Sequence, residues 1–326
     1  MTFWYILAGV IGFLVLFVLG GSVYAYIRTY KTPKERPDVT KRNFKDKRVL
    51  ELTNELLSRP YEPVYVKSYD GKKIFARYYE VNKGAPLHIM MHGYRGFAEV
   101  DFSGGAKVVR ELGHNMLIAD MRGHGKSDGT QTCFGIKERF DALALARYAY
   151  ERFGKDTPIF LNGASMGGNT VLMATALDLP KTVIGVISDG AFSSPSGVIK
   201  YTIDSQRLPK ILLPFTTSCI AATLFGGFNI NASSPVKAVK KSSLPILLFH
   251  GTTDKVVPYR MAQEIFEASC SSDKFLYTFE GAGHVLCYYN NTEQYENAIR
   301  DFTRLCLEKY ENNFKKENNN EGTKGN

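Results

Sequence analysis

The sequence predicts an α/β fold, a mostly parallel eight-stranded sheet with helices on both faces, preceded by one membrane-spanning helix. Three observations predict it. Short apolar runs alternate with helical patterns through residues 49–310, the mark of a parallel sheet covered by its crossover helices. Residues 3–27 contain no charged side chain. The pentapeptide Gly163-Ala164-Ser165-Met166-Gly167 lies between a strand-like IFLN and a helix-like GNTVLMATALD.

The uncharged run FWYILAGVIGFLVLFVLGGSVYAYI, as a helix rising ~1.5 Å per residue, spans ~37 Å and crosses a bilayer with some tilt. Trp4 and Tyr5 at one end, with Tyr24, Tyr26 and Tyr30 at the other, sit where interfacial aromatics lie. No Lys or Arg precedes Arg28 and no clear A-x-A site follows, so the run reads as a retained single-pass anchor rather than a cleaved signal. Residues 28–48 hold nine basic side chains against Glu35, Asp38 and Asp46, six of the chain's nine net positive charges. Such a segment is expected on the cytoplasmic side, next to anionic lipid. It is read as a basic linker that Pro33 and Pro37 keep from continuing the helix. The three net charges left over the rest of the chain give no nucleic-acid footprint.

Apolar residues make up 44% of the chain and charged ones 22%, enough for a core and ordinary for a folded protein. Five scattered cysteines without C-x-x-C spacing point to neither a disulfide framework nor a zinc site. Strands are expected at 64–67, 73–79, 87–91, 115–119, 159–162, 183–188, 246–250 and 275–279, the first two as a hairpin turning at Asp70-Gly71. Helices are expected at 104–112, 137–153, 168–178, 259–269 and 292–310. An irregular, partly apolar insertion at about 191–243 reads as a cap over the sheet's C-terminal edge. The Asn- and Lys-rich tail, 311–326, reads as disordered.

Small residues on both sides of Ser165 let the chain turn sharply and expose Oγ, as a nucleophile elbow requires. A serine hydroxyl also needs an imidazole to take its proton and a carboxylate to orient that imidazole. Asp254 follows PILLFHGTTD and His284 follows FLYTFEGAG, so each lies just beyond a strand end, and parallel strands bring those ends to one edge. Asp189, ending VIGVIS, is the rival acid. The developing oxyanion calls for fixed donors, for which the Met166 N–H and the Tyr94 N–H, in the loop His92-Gly93-Tyr94-Arg95-Gly96, are the candidates. His92 itself reads as structural. His88, His114 and His250 have no metal-ligand spacing, and Glu280 reads as exposed. This chemistry calls for neither metal nor organic cofactor.

Taken in order, MHGYRG, ADMRGHGKSDG, GASMGG, LFHGTTDKVVP and GAGHV resemble the α/β-hydrolase superfamily, near its serine aminopeptidase and monoacylglycerol-lipase-like branch, over about residues 60–310. The resemblance implies the α/β-hydrolase fold, Ser165, Asp254 and His284 as the triad, and Tyr94 and Met166 as oxyanion donors. It places Asp120, Arg122, His124 and Asp128 in a loop-forming segment. Tyr94-Arg95 depart from the two glycines of the HGGG-loop lipases. Epoxide hydrolases and haloalkane dehalogenases would carry Asp at the elbow. The expected activity is that of a serine hydrolase cleaving a carboxylic ester through an acyl-serine intermediate. An aminopeptidase or thioesterase would use the same triad. A non-catalytic binding or scaffold member of the fold is the alternative of another class. The apolar cap and the anchor point to acyl lipids or small esters as substrates.

Overall fold

The computed structural model of the chain describes residues 1–32, 46–206 and 213–322. Helix α1 (Thr2–Ala25) runs into one π-helical turn, Tyr26–Tyr30. Together they are long and apolar enough to cross a membrane, and most of their side chains are exposed. Of the expected linker, residues 33–45 with both prolines lie outside the described residues, and the ends are ordered differently from the reading. Lys31 bridges to Gln131, and α2 (Lys47–Ser58) begins within it. The Asp46 side chain accepts from the Arg48 N–H at 2.9 Å to cap α2, and Val49, Thr53 and Leu56 bury one face at helical spacing.

All eight expected strands form one sheet: β1 (Glu62–Lys67), β2 (Lys73–Tyr79), β3 (Leu87–Met91), β4 (Asn115–Ala119), β5 (Ile159–Ala164), β6 (Val183–Asp189), β7 (Ile246–Gly251) and β8 (Lys274–Phe279). Their order is β1-β2-β4-β3-β5-β6-β7-β8. β2 pairs antiparallel with β1 and β4, and every other pairing is parallel. Every residue of β3 to β7 is buried, because helices cover both faces and each strand must be apolar on both.

Alternate side chains divide the core. Ile89, Leu117, Leu161 and Leu248 meet α5 (Glu138–Phe153), α6 (Met166–Ala174) and α10 (Tyr259–Ala268) on one face. Met90, Ile118, Phe160 and Leu247 face α2, the short α3 (Ala98–Asp101), α4 (Ser103–Glu111), α11 (Cys287–Asn290) and α12 (Thr292–Gly322) on the other.

The insertion is helical rather than irregular, with α7 (Pro195–Ser205), α8 (Pro214–Leu224) and α9 (Pro235–Val239). Two Ser-Pro pairs start helices: Ser194 and Ser234 each accept from a backbone N–H in the first turn, with proline in the position behind them. α8 packs along α1, and α9 against α6 and α10. Helix α12 continues to Gly322, into the stretch read as a disordered tail. Extending a helix that packing has already nucleated costs little, and Glu and Lys tolerate the helix well.

The polar segment after β4 is fastened by buried charges. Arg77 meets Asp120 at 2.8 Å and Glu99 at 3.1 Å, while Arg122 joins Asp141 at 2.6 Å and Asp70 at 3.0 Å. The Asp141 side chain has no exposed surface, so it depends on Arg122 for compensation. Arg122→Met should therefore lower the unfolding free energy by about 3–5 kcal/mol, the usual cost of leaving one partner of a buried pair alone. Urea denaturation of the detergent-solubilised protein measures it, and a loss below 1 kcal/mol would show Asp141 compensated by other groups.

Candidate active site

Ser165 sits on the turn between β5 and α6 with φ 52° and ψ −117°, a region that L-residues occupy only under constraint. The flanking glycines explain how the turn is made. A Cβ on Gly163 would run into the Gly167 carbonyl, and one on Gly167 into that of Met91. The Ser165 N–H donates to Asp189 O at 2.7 Å, which ties the turn to the end of β6.

Three strand ends deliver the remaining groups. Asp254 follows β7, His284 follows β8, and the loop 92–96 follows β3. Ser165 Oγ donates to His284 Nε2 at 2.8 Å, and His284 Nδ1 donates to Asp254 Oδ2 at 2.7 Å. Asp254 Oδ1 accepts from the N–H groups of Val256 and Val257 at 2.8 and 2.9 Å. Burial by itself would raise the Asp254 carboxyl, but the bond and charge of His284, with the two backbone donors, outweigh it and bring it below its usual range. Asp254 is thus held ionised where it faces the imidazole, and the buried His250 holds its own ring by donating to Val257 O at 2.9 Å.

Asp189, the rival acid, is not hydrogen-bonded to His284. It is buried, its Oδ1 meets no donor among the described residues, and burial, opposed by the Cys287 thiol and His284, pushes its carboxyl up to about 7.

The loop after β3 is built around Gly93, whose N–H donates to Asp101 Oδ2 at 2.7 Å. A Cβ there would lie 3.1 Å from the Ser165 Cβ, so this loop closely approaches the serine. Among the described residues neither the Tyr94 N–H nor the Met166 N–H donates to another protein group. His92 is structural: Nδ1 donates to Gly93 O at 2.8 Å and Nε2 accepts from the Met121 N–H at 3.0 Å. His124, from the polar segment, accepts from the Arg95 N–H at 3.2 Å. Asp101 escaped the sequence reading because nothing in FAEVD marks it. Its role arises only where α3 folds back onto the loop.

Asp120, Arg122 and Asp128 serve the turns rather than the serine, Asp128 accepting from the Lys73 N–H at 2.9 Å. His88 and His114 lie 3.1 Å apart in the core, pushed down by burial to about 3 and about 4. They remain neutral there, and among the described residues no group of three or more His, Cys, Asp or Glu is placed to hold a metal. All five cysteines are unpaired.

Comparison with known proteins bears on this architecture. A family model described as the alpha/beta hydrolase fold matches residues 89–214, and one described as serine aminopeptidase, S33, matches residues 220–290. The solved structure of a Pyrococcus furiosus esterase superposes with a TM-score of 0.65 at 20% identity, covering 85% of this chain and 98% of that one. The chain has the α/β-hydrolase fold. Mouse monoglyceride lipase is 27% identical over 260 residues, which are 70% of this chain and 85% of the lipase. An uncharacterized Bacillus subtilis protein is 27% identical over 194 residues, 59% of this chain, and the match spans 63% of that protein's length. Within the α/β-hydrolase fold, Ser165 directly follows β5, and Asp254 and His284 lie in the loops beyond β7 and β8.

The Asp189 carboxyl has a pH signature. Its folded value, about 7, lies above the ordinary ~3.9 of an unfolded chain, so the native state holds this proton more tightly. Its contribution is complete below the unfolded value and is lost as pH rises towards 7. Asp189→Asn should thus gain melting temperature relative to the parent at pH 8 compared with pH 5. An equal difference at both pH values would contradict the raised carboxyl.

Proposed function

We propose that the protein is a membrane-anchored serine hydrolase that cleaves a carboxylic ester through an acyl-serine intermediate. The observation that carries this reading is the continuous hydrogen-bonded run from Ser165 through His284 to Asp254. Ser165 Oγ attacks the ester carbonyl as its proton passes to His284 Nε2. Asp254 keeps Nδ1 protonated and stabilises the imidazolium that results. The tetrahedral oxygen takes hydrogen bonds from the N–H groups of Tyr94 and Met166, of which each is worth ~3–4 kcal/mol by analogy with other oxyanion donors. Collapse expels the alcohol with the proton from His284 and leaves the acyl group on Ser165. Water, deprotonated by the same imidazole, then releases the acid and restores the serine.

The likeness to a monoglyceride lipase and the apolar insertion beside the anchor favour acyl lipids or small esters. The serine aminopeptidase match over residues 220–290 favours a second reading, peptide cleavage by the same groups. A panel of p-nitrophenyl esters of increasing chain length beside an aminoacyl-anilide separates the two, with ester turnover expected to dominate.

A fluorophosphonate probe should label Ser165, and Ser165→Ala should lose both labelling and turnover. Retained esterase activity in that variant overturns the mechanism. Asp254→Asn should lower kcat by about 10⁴-fold, as the equivalent change does in a serine protease triad, and Asp189→Asn far less. The reverse ranking moves the acid role to Asp189.

The basic residues from Arg28 onward favour a cytoplasmic catalytic domain. A phosphatase reporter fused after Asn326 should accordingly be inactive, and activity would place the domain outside.

A further inference from the structure

The helix that tethers the protein ends on the loop that carries the Tyr94 N–H. A helix leaves its last carbonyls without partners inside the helix, and here the catalytic domain supplies them. Arg95 Nη2 donates to Arg28 O at 3.0 Å and to Lys31 O at 2.8 Å, and Tyr94 Oη donates to Thr29 O at 2.9 Å. The Thr132 N–H donates to Tyr30 O at 2.8 Å. Four consecutive carbonyls are thereby satisfied, three of them by two adjacent residues of one loop.

The same junction is packed. Tyr30 is fully buried between Phe134 and Phe228, with ring centroids at 5.9 and 5.5 Å, and it bonds to Ser218 of α8. Thr32 donates through Oγ1 to Gly123 O at 2.6 Å. Tyr94 packs against Phe134 in a tilted arrangement with ring centroids 5.3 Å apart and carries the Arg95 guanidinium 5.0 Å from its ring centroid. Arg95 itself has φ 50°, a left-handed conformation that a non-glycine side chain holds only when its surroundings over-determine it. Its cation at the negative end of a helix dipole supplies part of that compensation.

We propose that the end of the N-terminal helix is part of the catalytic apparatus, with Arg95 and the Tyr94 hydroxyl acting as positioning groups that lock the oxyanion loop to the carbonyls of Arg28, Thr29 and Lys31. The inference rests on the reading of Tyr94 N–H as an oxyanion donor. Its consequence is that the anchor does more than hold the protein at a bilayer: the geometry of transition-state stabilisation depends on the helix end being seated.

The test uses the full chain in detergent micelles and a short, soluble p-nitrophenyl ester, so that membrane delivery plays no part. Arg95→Met and Tyr94→Phe should each lower kcat by about tenfold with KM unchanged, because loosening a donor acts on the transition state rather than on the bound ester. Affinity for a trifluoromethyl ketone, which forms an oxyanion on Ser165, should fall in parallel. Arg95→Lys should recover part of the loss. Tyr30→Ala, which empties the seat without touching the loop, should reproduce the loss, and combining it with Arg95→Met should add nothing further, since both act through one contact.

Unchanged kcat in the loop variants, a loss confined to KM, or additive losses would overturn the proposal. If Tyr30→Ala does not fold, the loop variants decide alone. If the parent neither turns over esters nor reacts with fluorophosphonate, the serine-hydrolase reading fails instead. Faster amide exchange across residues 93–96 in Arg95→Met then still reads the clamp, and unaltered exchange sinks it.

Discussion

Parallel pairing across the middle of the sheet is the constraint on which the site depends. Met91 is in register with Gly163, Ala164 with Asp189, Asp189 with Phe249, and Gly251 with Phe279. The chain therefore leaves β3, β5, β6, β7 and β8 at nearly one level, and the residues immediately beyond become neighbours although up to 192 positions separate His92 from His284. A slip of one residue would turn each strand's core side chains to the opposite face. Burial of both faces of the central strands makes such a slip expensive and holds the strand ends in place.

Polar groups then fix what the sheet only brings close. Asp254 orients His284 and is itself fixed by two backbone donors. Asp101 holds the Gly93 N–H, and His124 receives that of Arg95. His124 in turn belongs to a segment fastened by Arg77–Asp120 and Arg122–Asp141. Removing charges from water is costly and such pairs add little net stability. What they provide here is a set of fixed contacts behind the loop that approaches Ser165.

The N-terminal helix joins these contacts rather than hanging from them. Most of its apolar surface is exposed, whereas Tyr30, at the end of its last turn, is buried between Phe134 and Phe228 and bonds to Ser218 of α8. The change from α to π geometry at Tyr26 comes where the exposed apolar helix meets the folded domain. π turns tend to occur where a helix serves a specific function, and here the turn ends on the carbonyls that Tyr94 and Arg95 engage.

The sequence by itself determined the strands, the sharp turn at Ser165 and the order of Ser165, Asp254 and His284 along the chain. Those features are written in local pattern: apolar runs of strand length, glycines around Ser165, and a polar residue directly after an apolar strand. The Ser-Pro helix starts of the insertion and the Asp46 cap are equally local, but neighbouring irregular or basic stretches mask them. The choice of Asp254 over Asp189 is different, since one carboxylate ends β6 and the other lies just beyond β7, and only the tertiary structure decides which one meets His284 Nδ1. Asp101 and the seat for Tyr30 were likewise invisible, because their meaning lies in contacts with segments distant in sequence. Local pattern specifies which element forms. Which side chain faces which across the finished fold is decided by packing, and no stretch of the chain contains that information alone.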